Sequence, residues 1–308
     1  MPGDPTQVSR TREIEEATNL YFIHPISRVL VSVFAKLGIH PNLVSVVGMV
    51  FGGLAAWAYF YHSQWEMALV GFFLMIGWHV MDGADGQLAR LTGKTSEIGR
   101  ALDGLCDHLT FALIYISLAL ATAPEFGPWV WLLMGLAGTS HLVQASTYEF
   151  QRQMYDYWVF SKESARQVMP AEFRQGMEGK TGLSRIFGGV LLAYVSIQHR
   201  VASANIQLVS QLECMKDAGE ETKASEAYRS ANLSAVKTWS ILCSNYRTIA
   251  IFVACLAKNP LYFFLFEIGF LNAALIGLRM MQARRNQQLL SGLTHCHDLS
   301  LQDALAAA

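Results

Sequence analysis

Long apolar runs alternate with short polar turns along this chain, and their lengths predict the architecture. A helix needs ~20 apolar residues to cross ~30 Å of hydrocarbon. The runs that reach about this length occupy residues 42–61, 66–91, 97–122, 128–150, 240–257 and 260–281. The pattern therefore predicts an all-α, polytopic membrane helical bundle with about six transmembrane helices.

The composition agrees with a membrane environment. The 308 residues are 52% hydrophobic and 15% charged, and the mean hydropathy is +0.27. A soluble domain carries about 25% charged residues. The net charge is −1, so the chain offers no basic surface for nucleic acid. The five cysteines are scattered singly, so they indicate neither a disulfide framework nor a zinc site. Nucleic acid is thereby dropped as a partner.

Polar or amphipathic segments flank and interrupt the apolar runs. Residues 1–40 are predicted to form a cytoplasmic N-terminus and an interfacial helix, because charges break the apolar stretch there. A transmembrane domain then spans residues 41–285, and 286–308 form a cytoplasmic tail. Residues 151–240 are a polar cytoplasmic insertion, in which the apolar stretch 183–195 fits either an interfacial helix or an extra pair of spans.

The positive charges predict the orientation of the bundle. Lysines and arginines precede the first run, lie between the second and third, fill the region 152–237 and follow the last run. The turns at 61–65 and 123–127 have none. By the positive-inside rule, both termini and the turn at 91–96 face the cytoplasm.

Four carboxylates interrupt the second and third runs near that turn. They belong to Asp82, Asp85, Asp103 and Asp107. If the two runs form a helical hairpin, helical periodicity puts the first two carboxylates on one stripe and the last two on a stripe of the next helix. Asp103 then lies at about the depth of the first two, since each residue rises ~1.5 Å. We expect the four carboxylates to converge.

Converging charges at this depth need neutralisation. An ionised group within a membrane costs several kcal/mol even on lenient insertion scales. Either some of the aspartates are protonated or cations neutralise them, and four carboxylates match two divalent ions in charge. Oxygen ligands favour Mg²⁺, Mn²⁺ or Ca²⁺. A two-metal site is therefore a hypothesis, and such sites suit in-line displacement at phosphorus.

The residues between the aspartates suit a nucleotide diphosphate. Gly86 and Ala89 remove bulk from the carboxylate face, and Arg90 offers a planar fork for phosphate. Gly86 alone fits tight helix packing equally well, because small residues commonly mark such contacts in membranes. Together with four facing aspartates, the pattern favours a ligand.

A family resemblance rests on these residues. From Asp82 to Asp107 the chain reads D-x-x-D-G-x-x-A-R-x8-G-x3-D-x3-D, which resembles the signature of the CDP-alcohol phosphotransferase (CDP-alcohol phosphatidyltransferase) family. Residues 41–45, Pro-Asn-Leu-Val-Ser, are similar to the family's P-N-x-x-[T/S] start of the first span. The resemblance implies a homodimeric phospholipid-synthesis enzyme whose site faces the cytoplasm, here in a bacterial inner membrane.

The resemblance also implies roles for individual residues. The enzyme would use two divalent cations, Mg²⁺ or Mn²⁺, to transfer a substituted phosphate from a CDP-alcohol to an acceptor alcohol with release of CMP. The implied metal ligands are Asp82, Asp85, Asp103 and Asp107, and Asp107 is also the implied general base. The implied nucleotide-binding residues are Asn42, Ser45, Gly86, Ala89, Arg90 and Gly99.

Alternatives stay open at this point. The lipid is carried either on the CDP donor or on the acceptor. A divalent-cation channel or transporter could also use the carboxylates, although the outer halves of the first four runs are nearly all apolar. Six further charged residues either pair with each other or bind an acceptor or lipid phosphate: Glu149, Arg152, Asp156, Arg247, Glu267 and Arg279. For His108 we favour a structural hydrogen bond, because it points about 100° away from Asp107.

Overall fold

In the described part of the chain, all regular secondary structure is helical and no strand is present. In this computed structural model, the described part covers residues 13–306 except 95–96, 163–164, 167–169, 177–181, 183–184, 186–187, 190–191, 194 and 197–205. The side chains described do not include those of residues 97–102, 172, 206 and 294–306. The predicted all-α architecture is confirmed.

The first half of the chain forms a series of long helices. A π-helical turn, Asn19–Ile23, continues directly as the first α-helix. The α-helices of this half are α1 (His24–Lys36), α2 (Pro41–Phe60), α3 (Trp65–Thr92), α4 (Glu97–Phe126) and α5 (Trp129–Phe160).

The second half contains shorter helices and one long final helix. Its α-helices are α6 (Pro170–Gln175), α7 (Ile206–Asp217), α8 (Glu221–Val236), α9 (Ser244–Leu256), α10 (Leu261–Leu265) and α11 (Asn272–Ala306). A 3₁₀ segment, Lys237–Leu242, joins α8 to the turn before α9, and a π-helical segment, Phe266–Leu271, joins α10 to α11.

Local sequence explains the helix ends that shape the central hairpin. Pro41 occupies the first helical position of α2, where a missing N–H costs nothing. Gly93 ends α3 in the left-handed conformation at φ +67°, which a glycine adopts without steric cost. The chain therefore reverses between α3 and α4, as the sequence predicts.

Five helical stretches are long and apolar enough to cross a membrane by length and composition. They are Pro41–Phe60, Trp65–Thr92, Asp103–Phe126, Glu221–Leu256 and Leu261–Leu293. Helix α5, the predicted fourth span, has 32 residues but is not among the five. It carries polar side chains such as His141 and Gln144, which lie buried against its neighbours. The polytopic bundle is confirmed, with five such stretches where about six are predicted.

The main core lies between α2, α3, α4, α5, α9 and α10. Its largest buried side chains include Tyr59, Met75 and Phe263. Helices α2 and α4 approach closely at Gly52, where an added Cβ would lie 2.3 Å from Cγ2 of Thr110. This close approach packs α4 against α2.

A second core extends the bundle beyond the apolar part of α5. Tyr155 on α5, Leu212 on α7, Tyr228 on α8 and Leu293 on α11 are buried in it. Helices α7 and α8 of the predicted insertion therefore pack into this core, and α11 continues to Ala306 through the described part of the predicted tail. The stretch 183–195 lies largely outside the described residues, and the membrane placement of the insertion stays a prediction.

The N-terminal segment is attached to α3. Oγ of Ser27 donates a hydrogen bond to the carbonyl of Val80 at 2.8 Å. A Cβ added to Gly83 would lie 2.9 Å from Oγ of Ser27. Helix α1 therefore packs against α3 beside the aspartates. Its predicted place at the membrane surface stays a prediction.

Candidate active site

Three aspartates meet where α3 and α4 face each other. Asp82 and Asp85 lie one turn apart on α3, and Asp103 lies on α4. One carboxylate oxygen from each lies within 4.8 Å of the others. Asp85 is buried at 4% exposure, and the other two are half-buried. The spacing within α3 and the reversal at Gly93 together produce this cluster.

Asp107 lies one turn deeper along α4. It is not a member of the group within 4.8 Å, because four residues advance a helix by ~6 Å. The charges of Asp82, Asp85 and Asp103 nevertheless act on its carboxyl group. The structure thus brings three of the predicted carboxylates together and places the fourth beside them.

Ser45 contacts one of the clustered carboxylates. Its hydroxyl donates a hydrogen bond of 2.5 Å to Oδ2 of Asp85 from the second turn of α2. The family resemblance implies a nucleotide-binding role for this serine, and its contact with Asp85 was not predicted from the sequence. Three helices, α2, α3 and α4, therefore build the acidic cluster.

The surroundings of Gly86 distinguish between the two interpretations of this glycine, tight helix packing and ligand binding. Tight helix packing would place a neighbouring helix against it, as occurs at Gly52. Among the described residues, an added Cβ at Gly86 meets only the guanidinium of Arg90, with the nearer nitrogen at 3.4 Å. Arg90 belongs to the same helix, so the face of Gly86 is not used for close packing against another described helix. The geometry favours the ligand interpretation.

The remaining predicted nucleotide residues lie near the same end of the hairpin. Asn42 is exposed in the first turn of α2, where its backbone N–H donates to Nδ1 of His40 at 3.3 Å. Ala89 is half-buried one turn after Asp85. Gly99 lies in the first turn of α4, outside the described side chains. Their roles stay predictions.

The cluster fits a divalent cation by its chemistry. Its donors are carboxylate oxygens from three aspartates, and Mg²⁺, Mn²⁺ and Ca²⁺ prefer such ligands. Acidic side chains this close would repel each other at membrane depth unless a cation or protons offset their charge.

A polar network lies behind the cluster. The rings of His108 and His141 meet edge to face at 5.5 Å, and Nδ1 of His141 is hydrogen-bonded to the hydroxyl of Tyr115 at 2.9 Å. Arg247 and Glu267 form a buried ion pair, with Nε lying 3.2 Å from each carboxylate oxygen.

The other polar residues singled out from the sequence are paired as well. Arg152 forms ion pairs with Glu149 and Asp156, and Arg279 donates to Oγ1 of Thr147 at 3.2 Å. Gln144, which was not predicted as a network residue, accepts a hydrogen bond from Arg247 and donates one to Oδ1 of Asn272. Only its polarity within an apolar run could have indicated such a contact.

Comparison with known proteins gives the class to which this fold and cluster belong. The chain belongs to the CDP-alcohol phosphatidyltransferase family, whose model matches residues 38–206, more than half of the chain. The match contains residues 41–45 and all four aspartates. The family uses divalent metal ions.

Two relatives align over shorter regions. An archaetidylinositol phosphate synthase from Pyrococcus horikoshii is 38% identical over 86 residues, which are 28% of this chain and 44% of that protein. An uncharacterized protein from Aquifex aeolicus is 30% identical over 89 residues, which are 29% of this chain and 43% of that protein. The chain thus covers less than half the length of either relative.

Proposed function

We propose that this protein is a membrane transferase of phospholipid synthesis. It moves a substituted phosphate group from a CDP-alcohol to an acceptor alcohol and releases CMP. The observation that carries the proposal is the convergence of the Asp82, Asp85 and Asp103 carboxylates from two helices within the family match. Neither helix alone could present this set of oxygens to one ligand.

The aspartates would hold the metal ions. Asp82, Asp85 and Asp103 supply the clustered oxygens, and Asp107 completes the binding of two cations, Mg²⁺ or Mn²⁺. When bound, the metals supply positive charge that stabilises the oxygens around the reacting phosphorus. The hydrogen bond from the Ser45 hydroxyl would hold the Asp85 carboxylate in place for this role.

The exposed end of the hairpin would hold the nucleotide. Gly86 and Ala89 would leave the backbone of α3 accessible, and the guanidinium of Arg90, 3.4 Å from the position of an added Cβ on Gly86, would bind a phosphate. Asn42, Ser45 and Gly99 form the rest of the proposed nucleotide site. In this arrangement the CDP group lies on the α3 surface.

Asp107 would act on the acceptor. Its carboxylate accepts the proton of the acceptor hydroxyl while the new O–P bond forms. The bond between that phosphorus and the CMP oxygen breaks, and CMP leaves with the electron pair. The position of Asp107, one turn from the group within 4.8 Å, supports this role.

The cellular setting is also part of the proposal. The site would face the cytoplasm from a bacterial inner membrane, and the protein would be a homodimer. The name of the Pyrococcus relative describes a product with a lipid on an inositol phosphate. Inositol phosphate with a CDP-linked lipid is therefore the first pair to test, before CDP-linked head groups with diacylglycerol.

The direct test is CMP release by the purified full-length protein with Mg²⁺ or Mn²⁺. A panel of CDP-alcohols and acceptors is compared for the wild type, Asp103→Asn and the control Asp217→Asn, which removes an exposed aspartate at the end of α7. At least one pair should release CMP with the wild type and the control but not with Asp103→Asn. If no pair exceeds Asp103→Asn, the transferase proposal is wrong.

The channel or transporter alternative has its own assay. Proteoliposomes that contain the protein are loaded with a Mn²⁺-sensitive dye, and external Mn²⁺ is added. The transferase proposal predicts no faster dye response than in protein-free vesicles. Rapid Mn²⁺ entry that Asp103→Asn abolishes, without CMP release, would support the alternative.

A further inference from the structure

A second candidate binding site lies between α8 and α11. These helices pack on each other and on α5, whereas the clustered aspartates are on α3 and α4. The groove between them has a volume of about 940 Å³, and its lining includes Ala227 and Ser230 from α8. Ligand sites typically have volumes of ~300–1,000 Å³. The groove is therefore large enough for a headgroup and part of a lipid chain.

The groove changes character along α11. Gly277 and Met280 line one end and belong to the apolar run at 260–281. Arg284, Arg285 and Gln288 line the next part, which begins about one turn after Met280, and Leu289, Gly292 and Leu293 line the part beyond it. An apolar surface and a cationic surface are thus joined within one cavity, as they are at the boundary between hydrocarbon and headgroups.

The cationic part is fixed in place. The Arg285 guanidinium donates to the carbonyl of Ala231 at 2.7 Å and to Oγ of Ser234 at 3.0 Å. Arg284 is exposed beside it, so its guanidinium is accessible to a ligand. The lining contains two arginines and neither aspartate nor glutamate, and its charge is therefore positive.

We propose that this groove binds an anionic phospholipid. The phosphodiester lies against Arg284 and Arg285, because guanidinium groups match phosphate oxygens in geometry and charge. The glyceride and the start of an acyl chain lie over Met280, whose flexible side chain adapts to a lipid. Gly277 leaves room there, since an added Cβ would meet nothing within 4 Å among the described residues. This site is separate from the proposed transferase site and does not depend on it.

Native mass spectrometry of the full-length protein in detergent tests the proposal. The protein is titrated with phosphatidylglycerol or phosphatidylcholine in the presence of EDTA, so that the aspartate cluster does not contribute a metal-dependent lipid site. We expect about tenfold tighter binding of phosphatidylglycerol, and loss of this preference in Arg284→Gln. The matched control is Arg28→Gln, which removes an exposed arginine of α1 and should keep the preference.

A second variant tests the apolar half of the groove. Gly277→Leu places a side chain in open space, so the fold should be retained while binding of both lipids weakens. Glycerophosphate, which lacks acyl chains, should not compete with the lipid. Equal binding of the two lipids by the wild type, an unchanged preference in Arg284→Gln, or unchanged lipid binding in Gly277→Leu would overturn the proposal. So would a change from dimer to monomer in Arg284→Gln without a change in lipid binding, because the groove would then be a protein interface.

Discussion

A single hydroxyl group supports the most buried carboxylate of the acidic cluster. Ser45 donates its short hydrogen bond to Asp85 across two helices, α2 and α3. Aspartate spacing predicted which carboxylates would share a helical stripe, because residues three or four apart lie on one face. It could not predict Ser45 as their partner, because a contact between residues 40 positions apart depends on how the helices pack.

The Ser45 contact predicts an effect on metal affinity. Replacing Ser45 with alanine removes a hydrogen bond that orients Asp85, and partners of metal ligands typically contribute ~10–100-fold to affinity. We expect Mn²⁺ binding, measured by titration calorimetry, to weaken by at least about tenfold. Ser32→Ala is the control, since the Ser32 hydroxyl is exposed and, among the described residues, bonds only to the carbonyl of Arg28 in its own helix. Equal affinity in the two variants would show that the contact does not matter.

The proposed role of Asp107 predicts that its substitution affects turnover but not CDP binding. Asparagine keeps the shape of the side chain but accepts no proton, and a general base contributes ~10²–10⁴-fold to the rate. Asp107→Asn should therefore lower the rate of CMP release by at least about 100-fold, with CDP binding largely preserved. Turnover at the wild-type rate would remove Asp107 from this role.

At the scale of helices, close backbone approaches determine where the aspartates meet. Gly52 lets α2 approach Thr110 of α4, and Gly83 lets α1 approach α3. The apolar run lengths predicted most helices and the central hairpin well. The polar character of α5 was harder to interpret, because His141 and Gln144 lie on an apolar run yet are buried by contacts with other helices.

Two adjacent glycines give a matched test of this packing. An added Cβ at Gly52 would lie 2.3 Å from a carbon of the buried Thr110, whereas at Gly53 it would meet nothing within 4 Å among the described residues. Gly52→Ala should destabilise the protein by about 1–3 kcal/mol through overpacking. Gly53→Ala should be neutral or slightly stabilising. The midpoints of thermal unfolding in detergent check the difference, and equal midpoints would contradict the close approach.

At the scale of the whole molecule, the buried ion pair of Arg247 and Glu267 is joined to α5, whose Gln144 lies 103 positions from Arg247 along the chain. Arg247 on α9 and Glu267 in the π-helical segment are 1% and 0% exposed at the side chain, and Gln144 of α5 accepts from the same guanidinium. The sequence indicated that charged residues here would either pair or bind a ligand. The sequence alone did not decide between pairing and ligand binding, because the contacts of these residues depend on how the helices pack.

This ion pair predicts non-additive effects on stability. Arg247→Met leaves the Glu267 carboxylate buried without its cation, which should cost about 3–5 kcal/mol. The double variant Arg247→Met/Glu267→Gln leaves no such charge and should be destabilised by less than the sum of the single variants. Unfolding free energies of the three variants check this. Strict additivity would mean that the two groups do not interact.

The most direct measurement of the central claim is CMP release before and after metal depletion. This measurement tests whether carboxylates from α3 and α4 act together by holding divalent cations. A chelator-treated protein should release no CMP from its best substrate pair, and added Mg²⁺ or Mn²⁺ should restore release in the wild type but not in Asp82→Asn. Release at full speed by the metal-depleted protein would contradict the account.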